Sequence, residues 1–235
     1  MEVKTSRVVS DLEDLREGDI DIFVVKDASK DTIKEFGELI KQDMMQADEV
    51  PIGYQNEAYN LSTHSDMAWH NDGSHLRSPY PFAALYCEDI DQGASPTHFC
   101  DMKQAWKSLP ENIKDKVKKS KRAEFAVRNW YTRDFIWPYE FQDEKDKHTY
   151  LRFARALQHL YRNDKFGEYL YFSPAHTTTD LLEDLNKVFK DECIYTHHWE
   201  SNDLVVWNNF TLSHKRDASP DYLTRKLIRY AVKII

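Results

Sequence analysis

The chain has 235 residues, enough for a single domain with its own core. Its 32 Lys and Arg stand against 40 Asp and Glu, a formal charge of −8, which provides neither the basic face that nucleic acid requires nor attraction to an anionic membrane. No apolar run approaches the roughly 18 residues of a membrane span, and the opening Met1-Glu2-Val3-Lys4-Thr5 is charged where a signal peptide would be apolar.

In chain order, Asp19 to Val25 contains Ile20, Ile22, Phe23, Val24 and Val25 and reads as an apolar strand. Asp27-Ala28-Ser29 opens a helix on which Ile33, Phe36, Leu39 and Ile40 recur at helical spacing. Residues 45–60, with Pro51, Gly53 and Asn56, read as irregular. Pro81 to Tyr86 is a second buried strand. Asp101 is placed to cap a short helix carrying Ala105 and Trp106. Pro110 opens another, with Ile113 and Val117 inward and a solvated basic face from Lys114 to Arg122.

Residues 128–150 gather Trp130, Tyr131, Phe135, Trp137, Tyr139 and Phe141 among charges. They are either a lid, within an insertion over 128–165, or a satellite cluster beneath a long loop. Tyr169 to Phe172 reads as a strand. Thr177 to Asp180 can cap a helix bearing Leu181, Leu182, Leu185, Val188 and Phe189, a helical insertion over 177–192. After the turn signal Asn202-Asp203, Leu204 to Trp207 is a buried strand, and Lys215 to Pro220 is a loop by composition. The last strand, Arg225 to Ile234, places Arg225, Leu227 and Arg229 on one face and Ile228, Tyr230, Val232 and Ile234 on the other. Many short strands with few helices predict a mainly β domain with flanking helices: a double-stranded β-helix, or jelly roll, over 1–235.

Cys87, Cys100 and Cys193 are an odd number at wide spacing with no Cys-x-x-Cys. They read as buried thiols of a reduced, cytoplasmic protein, and a thiolate zinc site is not expected.

The chemistry concentrates in Trp69-His70-Asn71-Asp72. In an extended segment His70 and Asp72 point to the same side, so an imidazole and a carboxylate converge. A histidine from a distant strand, His214, would complete two histidines and one carboxylate, the set that holds non-haem Fe(II) with positions left open. A His-x-Asp tripeptide by itself has little weight in a chain with 10 histidines and 40 acidic residues. The downstream partner adds to it: Arg225 follows His214 by 11 residues on an inward face, where a guanidinium is costly unless an anion meets it. His64, His98, His197 and His198 read as surface or supporting groups, and His75 as a candidate substrate contact.

These pieces in this order resemble the taurine dioxygenase (TauD/TfdA-like) family of Fe(II)/2-oxoglutarate-dependent oxygenases, from about Asn60 to the C-terminus. The resemblance implies His70, Asp72 and His214 as iron ligands and Arg225 as partner of the distal carboxylate of 2-oxoglutarate. It implies Thr97 on the same carboxylate. Gly93, Thr97, Phe99, Asp101 and Met102 match the family's pattern there, although Ala94 replaces a second glycine and one extra residue precedes Thr97. Arg229, 15 residues after His214, corresponds to a position that holds an anionic substrate group in some relatives. The expected cofactors are Fe(II), 2-oxoglutarate as co-substrate and dioxygen. The expected reaction is hydroxylation, or a related oxidation, of an unactivated C–H bond in a small molecule, with release of succinate and carbon dioxide. Asp72 fills a position that halogenating relatives leave open for chloride, so halogenation is disfavoured. No nucleic-acid or membrane partner is expected, and self-association is left open. The alternatives are a jelly-roll metal protein with hydrolytic chemistry and a binding module in which His70 and Asp72 are incidental.

Overall fold

The computed structural model describes residues 1–6, 20–29, 31–32, 35–36, 46–52, 66–72, 82–119, 127–128, 135–136, 160–163, 167–170, 179–187, 189 and 191–233. The strands, in chain order, are β1 (Val3–Ser6), β2 (Ile22–Val25), β3 (Gln46–Ile52), β4 (Met67–His70), β5 (Phe82–Ile90), β6 (Thr97–Asp101), β7 (Val127–Arg128), β8 (Phe135–Ile136), β9 (Leu160–Asn163), β10 (Gly167–Leu170), β11 (Ile194–His197), β12 (Leu204–Asn208), β13 (Leu212–Arg216) and β14 (Arg225–Lys233). The α-helices whose bounds fall within the described residues are α1 (Met102–Ser108), α2 (Glu111–Lys119) and α3 (Thr179–Asn186). A six-stranded sheet runs β1-β2-β12-β5-β14-β3, and a four-stranded sheet runs β11-β6-β13-β4. Together they are the two sheets of the expected jelly roll.

The central strands read as unbroken apolar runs because both of their faces are covered. Ile22, Val24, Ala83, Leu85, Cys87, Val205, Trp207 and Leu227 face the small sheet and meet Phe99 and Leu212. Their alternate neighbours Phe23, Val25, Ala84, Tyr86, Leu204 and Val206 face outward and cover Ala28 and Phe36. A third cluster lies behind the small sheet, where Trp69 and Cys100 pack against Met102, Trp106, Ile113, Val117, Leu170, Leu181 and Leu185. Full burial of one such side chain contributes about 1.5–3 kcal/mol, so the layers on either side hold both sheets in place around the site.

Most predicted elements form, with shifted ends. Asp101 caps α1, its Oδ1 accepting from the Lys103 and Gln104 amides at 2.9 and 3.0 Å. Ile113 and Val117 of α2 are buried, and so are Leu181 and Leu185 of α3. In the last strand Leu227 joins the inner cluster while Ile228 and Tyr230 pack on the outer one, as the alternation predicts.

Three readings need correction. Residues 46–52, expected to be irregular, form the edge strand β3 paired with β14. Pro51 is compatible with this because an edge strand leaves one set of amides unpaired. Lys215 and Arg216, expected in a loop, continue β13, since the ladder with β6 runs through Arg216↔Thr97. The strand expected at Tyr169–Phe172 begins earlier, at Gly167. Of the suggested insertion over 128–165, only Arg128, β8 and β9 fall within the described residues, and most of it, including most of the suggested lid, lies outside them. Among the described residues, no helix is long and apolar enough to cross a membrane, and the three cysteines are buried and form no disulfide.

Candidate active site

His70 is the last residue of β4, and His214 sits directly opposite it on β13. Asp72 lies just past the strand end, so alternation alone does not aim its carboxylate. Hydrogen bonds to the β12–β13 turn do. The Asp72 amide donates to Asn209 Oδ1 at 2.8 Å, and Asn209 Nδ2 donates back to the Asp72 carbonyl at 2.8 Å. Asn71 Nδ2 donates to the carbonyls of Asn209 and Leu212 at 2.8 and 2.9 Å, while Ser213 Oγ donates to Asn71 Oδ1 at 2.8 Å. These buried bonds tie the two ligand-bearing segments into one unit.

The three side chains converge. His70 Nε2 is 3.7 Å and His214 Nε2 3.9 Å from Asp72 Oδ1, and one ligand atom from each lies within 4.8 Å of the others. His214 rests on an aromatic floor, its ring centroid 4.9 Å from that of Trp207 and 6.1 Å from that of Phe99. Burial, reinforced by His70 and Arg229 and opposed by Asp72, lowers the His214 pKa to about 3, so at neutral pH it is the uncharged imidazole that can ligate a metal. Burial pushes the Asp72 carboxyl up. Arg229 Nη1, 3.1 Å from Oδ1, outweighs that together with the two imidazoles and holds it at about 2. Asp72 Oδ2, His214 Nδ1 and Trp207 Nε1 are buried with no hydrogen-bond partner among the described residues.

Arg225 opens β14 and is 6% exposed. Its Nε donates to the Ser95 carbonyl at 3.0 Å and its Nη2 to Thr97 Oγ1 at 3.1 Å. No carboxylate among the described residues pairs with it. Burial, reinforced by nearby Arg216, lowers its pKa to about 9. Trp199 Nε1 also donates to Thr97 Oγ1, at 3.0 Å. Thr97 and Phe99 share the inner face of β6, and Phe99 is the register partner of His214. The threonine therefore lies two residues, roughly 7 Å of strand, along from the position opposite His214.

The departures from the family pattern before Thr97 are accommodated by the turn there. The Ala94 amide donates to the Asp91 carbonyl at 3.1 Å, and within that turn Gly93 has φ +90°, a conformation that L side chains rarely adopt. Ala94 has no positive φ, so no second glycine is required.

The structure thus brings His70, Asp72 and His214 together, and Thr97 with Arg225. It also places Arg229 on Asp72. His75 lies outside the described residues, as does His64. His98 is held on the outer face of β6 by Thr196 and Asp217. His197, read as surface or supporting, is buried with its Nε2 3.0 Å from Asp203 Oδ2. Sequence reasoning missed Asn71, Asn209 and Trp199. The only available signal was their adjacency to the histidines and to the Asn202-Asp203 turn.

A family model described as taurine catabolism dioxygenase TauD, TfdA family matches residues 18–231. Among curated proteins, the chain is 22% identical over 178 residues to the alpha-ketoglutarate-dependent 2,4-dichlorophenoxyacetate dioxygenase of Burkholderia sp. (strain RASC), covering 72% of this chain and 59% of that protein. It is 27% identical over 188 residues to the pentalenolactone F synthase of Streptomyces avermitilis, covering 72% and 61%. It therefore spans about three-fifths of the length of these relatives. Among solved structures it shares its fold with AAD-2 in complex with Mn(II) and N-oxalylglycine, at a TM-score of 0.70, 18% identity and coverage of 99% and 94%. It also shares it with PvcB, an Fe, alpha-ketoglutarate-dependent oxygenase from an isonitrile synthetic pathway, at 0.59, 17%, 92% and 76%.

Proposed function

We propose that this chain, which belongs to the taurine catabolism dioxygenase TauD, TfdA family, is an Fe(II)- and 2-oxoglutarate-dependent oxygenase acting on a C–H bond of a small molecule. The observation that carries the reading is the pairing of two sites on one inner surface: a His-Asp-His cluster in which Asp72 and His214 are buried and His70 is partly exposed, and a buried guanidinium without a carboxylate partner among the described residues.

The residues fit the metal. Two imidazoles and one carboxylate suit Fe(II) and leave open positions, and the orphaned Asp72 Oδ2 is a further oxygen ready to ligate. His70, Asp72 and His214 would hold the ion. When bound, the iron supplies the oxidising power, using dioxygen and the conversion of 2-oxoglutarate to succinate and carbon dioxide to oxidise the substrate C–H bond.

The chain's own contribution is placement. Arg225 offers its unused N–H groups to the distal carboxylate of 2-oxoglutarate, and Thr97 stands beside it. The aromatic floor of Trp207 and Phe99 packs against the His214 imidazole and shields it from water. Arg229, partly exposed beside Asp72, is the candidate group for an acidic part of the substrate. His75 keeps its assignment as a candidate substrate contact on sequence alone. A hydrolytic metal site is a weaker reading, since hydrolysis gives no use for the buried Arg225.

Loading with Fe(II) under ascorbate is expected to give one iron per chain, and anaerobic 2-oxoglutarate a weak visible charge-transfer band. His70→Ala and Asp72→Ala should lose iron, band and turnover. Unchanged iron content in His70→Ala, with no band in either protein, would overturn the assignment. Oxygen uptake with succinate detection across small acids and amines then identifies the substrate class.

A further inference from the structure

A threonine hydroxyl has two acceptor lone pairs and one proton to give. Thr97 Oγ1 accepts from both Arg225 Nη2 at 3.1 Å and Trp199 Nε1 at 3.0 Å. Both acceptor positions are taken, so the proton must be donated elsewhere. Thr97 is 2% exposed, and no acceptor among the described residues receives it. Arg225 uses two of its five N–H groups, on Thr97 and on the Ser95 carbonyl. The Thr97 hydroxyl hydrogen and the three remaining Arg225 N–H groups are therefore available to an acceptor from outside the described residues.

The indole is itself held. Trp199 is buried, and its ring meets His197 edge-on with centroids 4.5 Å apart. His197 is fixed by Asp203 Oδ2 at 3.0 Å, which also accepts the Glu200 amide at 3.0 Å and so closes the Glu200–Asp203 turn that directly follows Trp199. Indole is a donor only and cannot reverse its bond. With Trp199 present the hydroxyl has one orientation. Without it the hydroxyl regains a free lone pair and can turn to accept.

We propose that Trp199 is a positioning residue that locks Thr97 as a donor, so that the Arg225–Thr97 pocket selects a carboxylate terminus, which only accepts, over a terminus that also donates, such as a primary amide. This rests on the co-substrate reading above and adds to it the residue that sets the polarity of the pocket.

The test measures 2-oxoglutarate dissociation constants on anaerobic Fe(II)-loaded protein, by the visible band and by calorimetry. It uses wild type, Trp199→Phe, Thr97→Val, Thr97→Ser and the Trp199→Phe/Thr97→Val double variant. 2-Oxoglutaramate, with its terminal amide, is titrated in parallel. A hydrogen bond to a charged group predicts that Thr97→Val weakens 2-oxoglutarate about tenfold or more. Trp199→Phe should weaken it by about three- to tenfold in the wild-type background but by less than about twofold in the Thr97→Val background. Trp199→Phe should also narrow the preference for acid over amide, because the freed hydroxyl can accept from the amide N–H. Thr97→Ser should keep both affinity and preference. A merely structural Trp199 would lower stability without moving the coupling or the preference. The proposal is overturned by equal Trp199→Phe effects in both backgrounds, by an unchanged acid-to-amide ratio, or by Thr97→Ser behaving like Thr97→Val. The serine comparison decides it even where Trp199→Phe does not fold. Wild type that binds iron but no 2-oxoglutarate overturns the co-substrate reading, and this assignment with it. Wild type that binds 2-oxoglutarate while the variants behave additively overturns this assignment alone.

Discussion

Arg229 places a guanidinium nitrogen 3.1 Å from Asp72 Oδ1, the same oxygen that faces the Nε2 atoms of His70 and His214. The buried carboxylate has a cationic partner supplied by β14, the strand that also delivers Arg225. One strand thus carries both guanidiniums of the site, four residues apart, one at the His-Asp-His cluster and one beside Thr97.

Removing that cation leaves a buried carboxylate uncompensated. Arg229→Ala should destabilise the metal-free protein by about 1–3 kcal/mol, below the full cost of breaking a buried pair because Arg229 itself is partly exposed. A divalent ion should restore much of the loss. Urea denaturation with and without Mn(II) is expected to show a larger metal-induced stabilisation in Arg229→Ala than in wild type. An equal shift in both would mean that Arg229 does not balance the Asp72 charge.

Asn209 holds Asp72 by both its amide and its carbonyl. Asn209→Ala should lower metal affinity by about 10- to 100-fold, the usual effect of removing a group that orients a ligand. Asn71→Ala should act in the same direction through its bonds to Asn209 and Leu212. Competition with a fluorescent chelator measures both. Wild-type affinity in Asn209→Ala would show that Asp72 is aimed by the strand alone.

Arg225 is a buried guanidinium with no carboxylate partner among the described residues, and under the proposed function it serves the co-substrate. Arg225→Met should therefore match or exceed wild type in thermal stability without co-substrate, since a buried charge replaced by a packed apolar group is often neutral or stabilising. It should lose 2-oxoglutarate affinity by roughly 30- to several-thousand-fold, the equivalent of about 2–5 kcal/mol for one partner of a desolvated pair. Arg225→Lys should be intermediate, because an ammonium cannot make two parallel bonds to a carboxylate. A variant that melts lower and still binds 2-oxoglutarate like wild type would make Arg225 structural.

The pKa directions fix a pH dependence for the metal-free protein. His214 titrates near its ordinary 6.5 when unfolded and at about 3 when folded. As pH falls from 6.5 towards 3, the unfolded chain takes a proton there that the folded chain refuses. Stability then falls by up to about 1.4 kcal/mol per pH unit for that one site. Asp72, lowered from 3.8 to about 2, adds a second loss only between those values. Stability curves at pH 7, 6 and 5 should therefore slope, and His214→Asn should flatten them. An unchanged slope in that variant would assign the effect to other groups.

The sequence by itself determined the elements whose causes are local. Apolar runs such as Leu204 to Trp207 predict strands, the Asp101 side chain caps α1, and alternation in β14 sends Leu227 inward and Ile228 outward. The cluster of His70, Asp72 and His214 was legible because its chemistry is unusual: an imidazole and a carboxylate two residues apart, a second histidine, and an arginine on an inward face. Residues 46–52 were misread because an edge strand bearing Pro51 owes its structure to pairing with β14 rather than to its own composition. Only the tertiary structure decided how Asp72 is aimed, because the turn that holds it lies 137 residues away at Asn209. It alone put Arg229 on Asp72, and it alone placed the Trp199 indole on the Thr97 hydroxyl across 102 residues. A local pattern specifies which atoms a residue can offer. Which donor meets which acceptor depends on strand register and loop closure over the whole chain, and those are settled only when the two sheets pack.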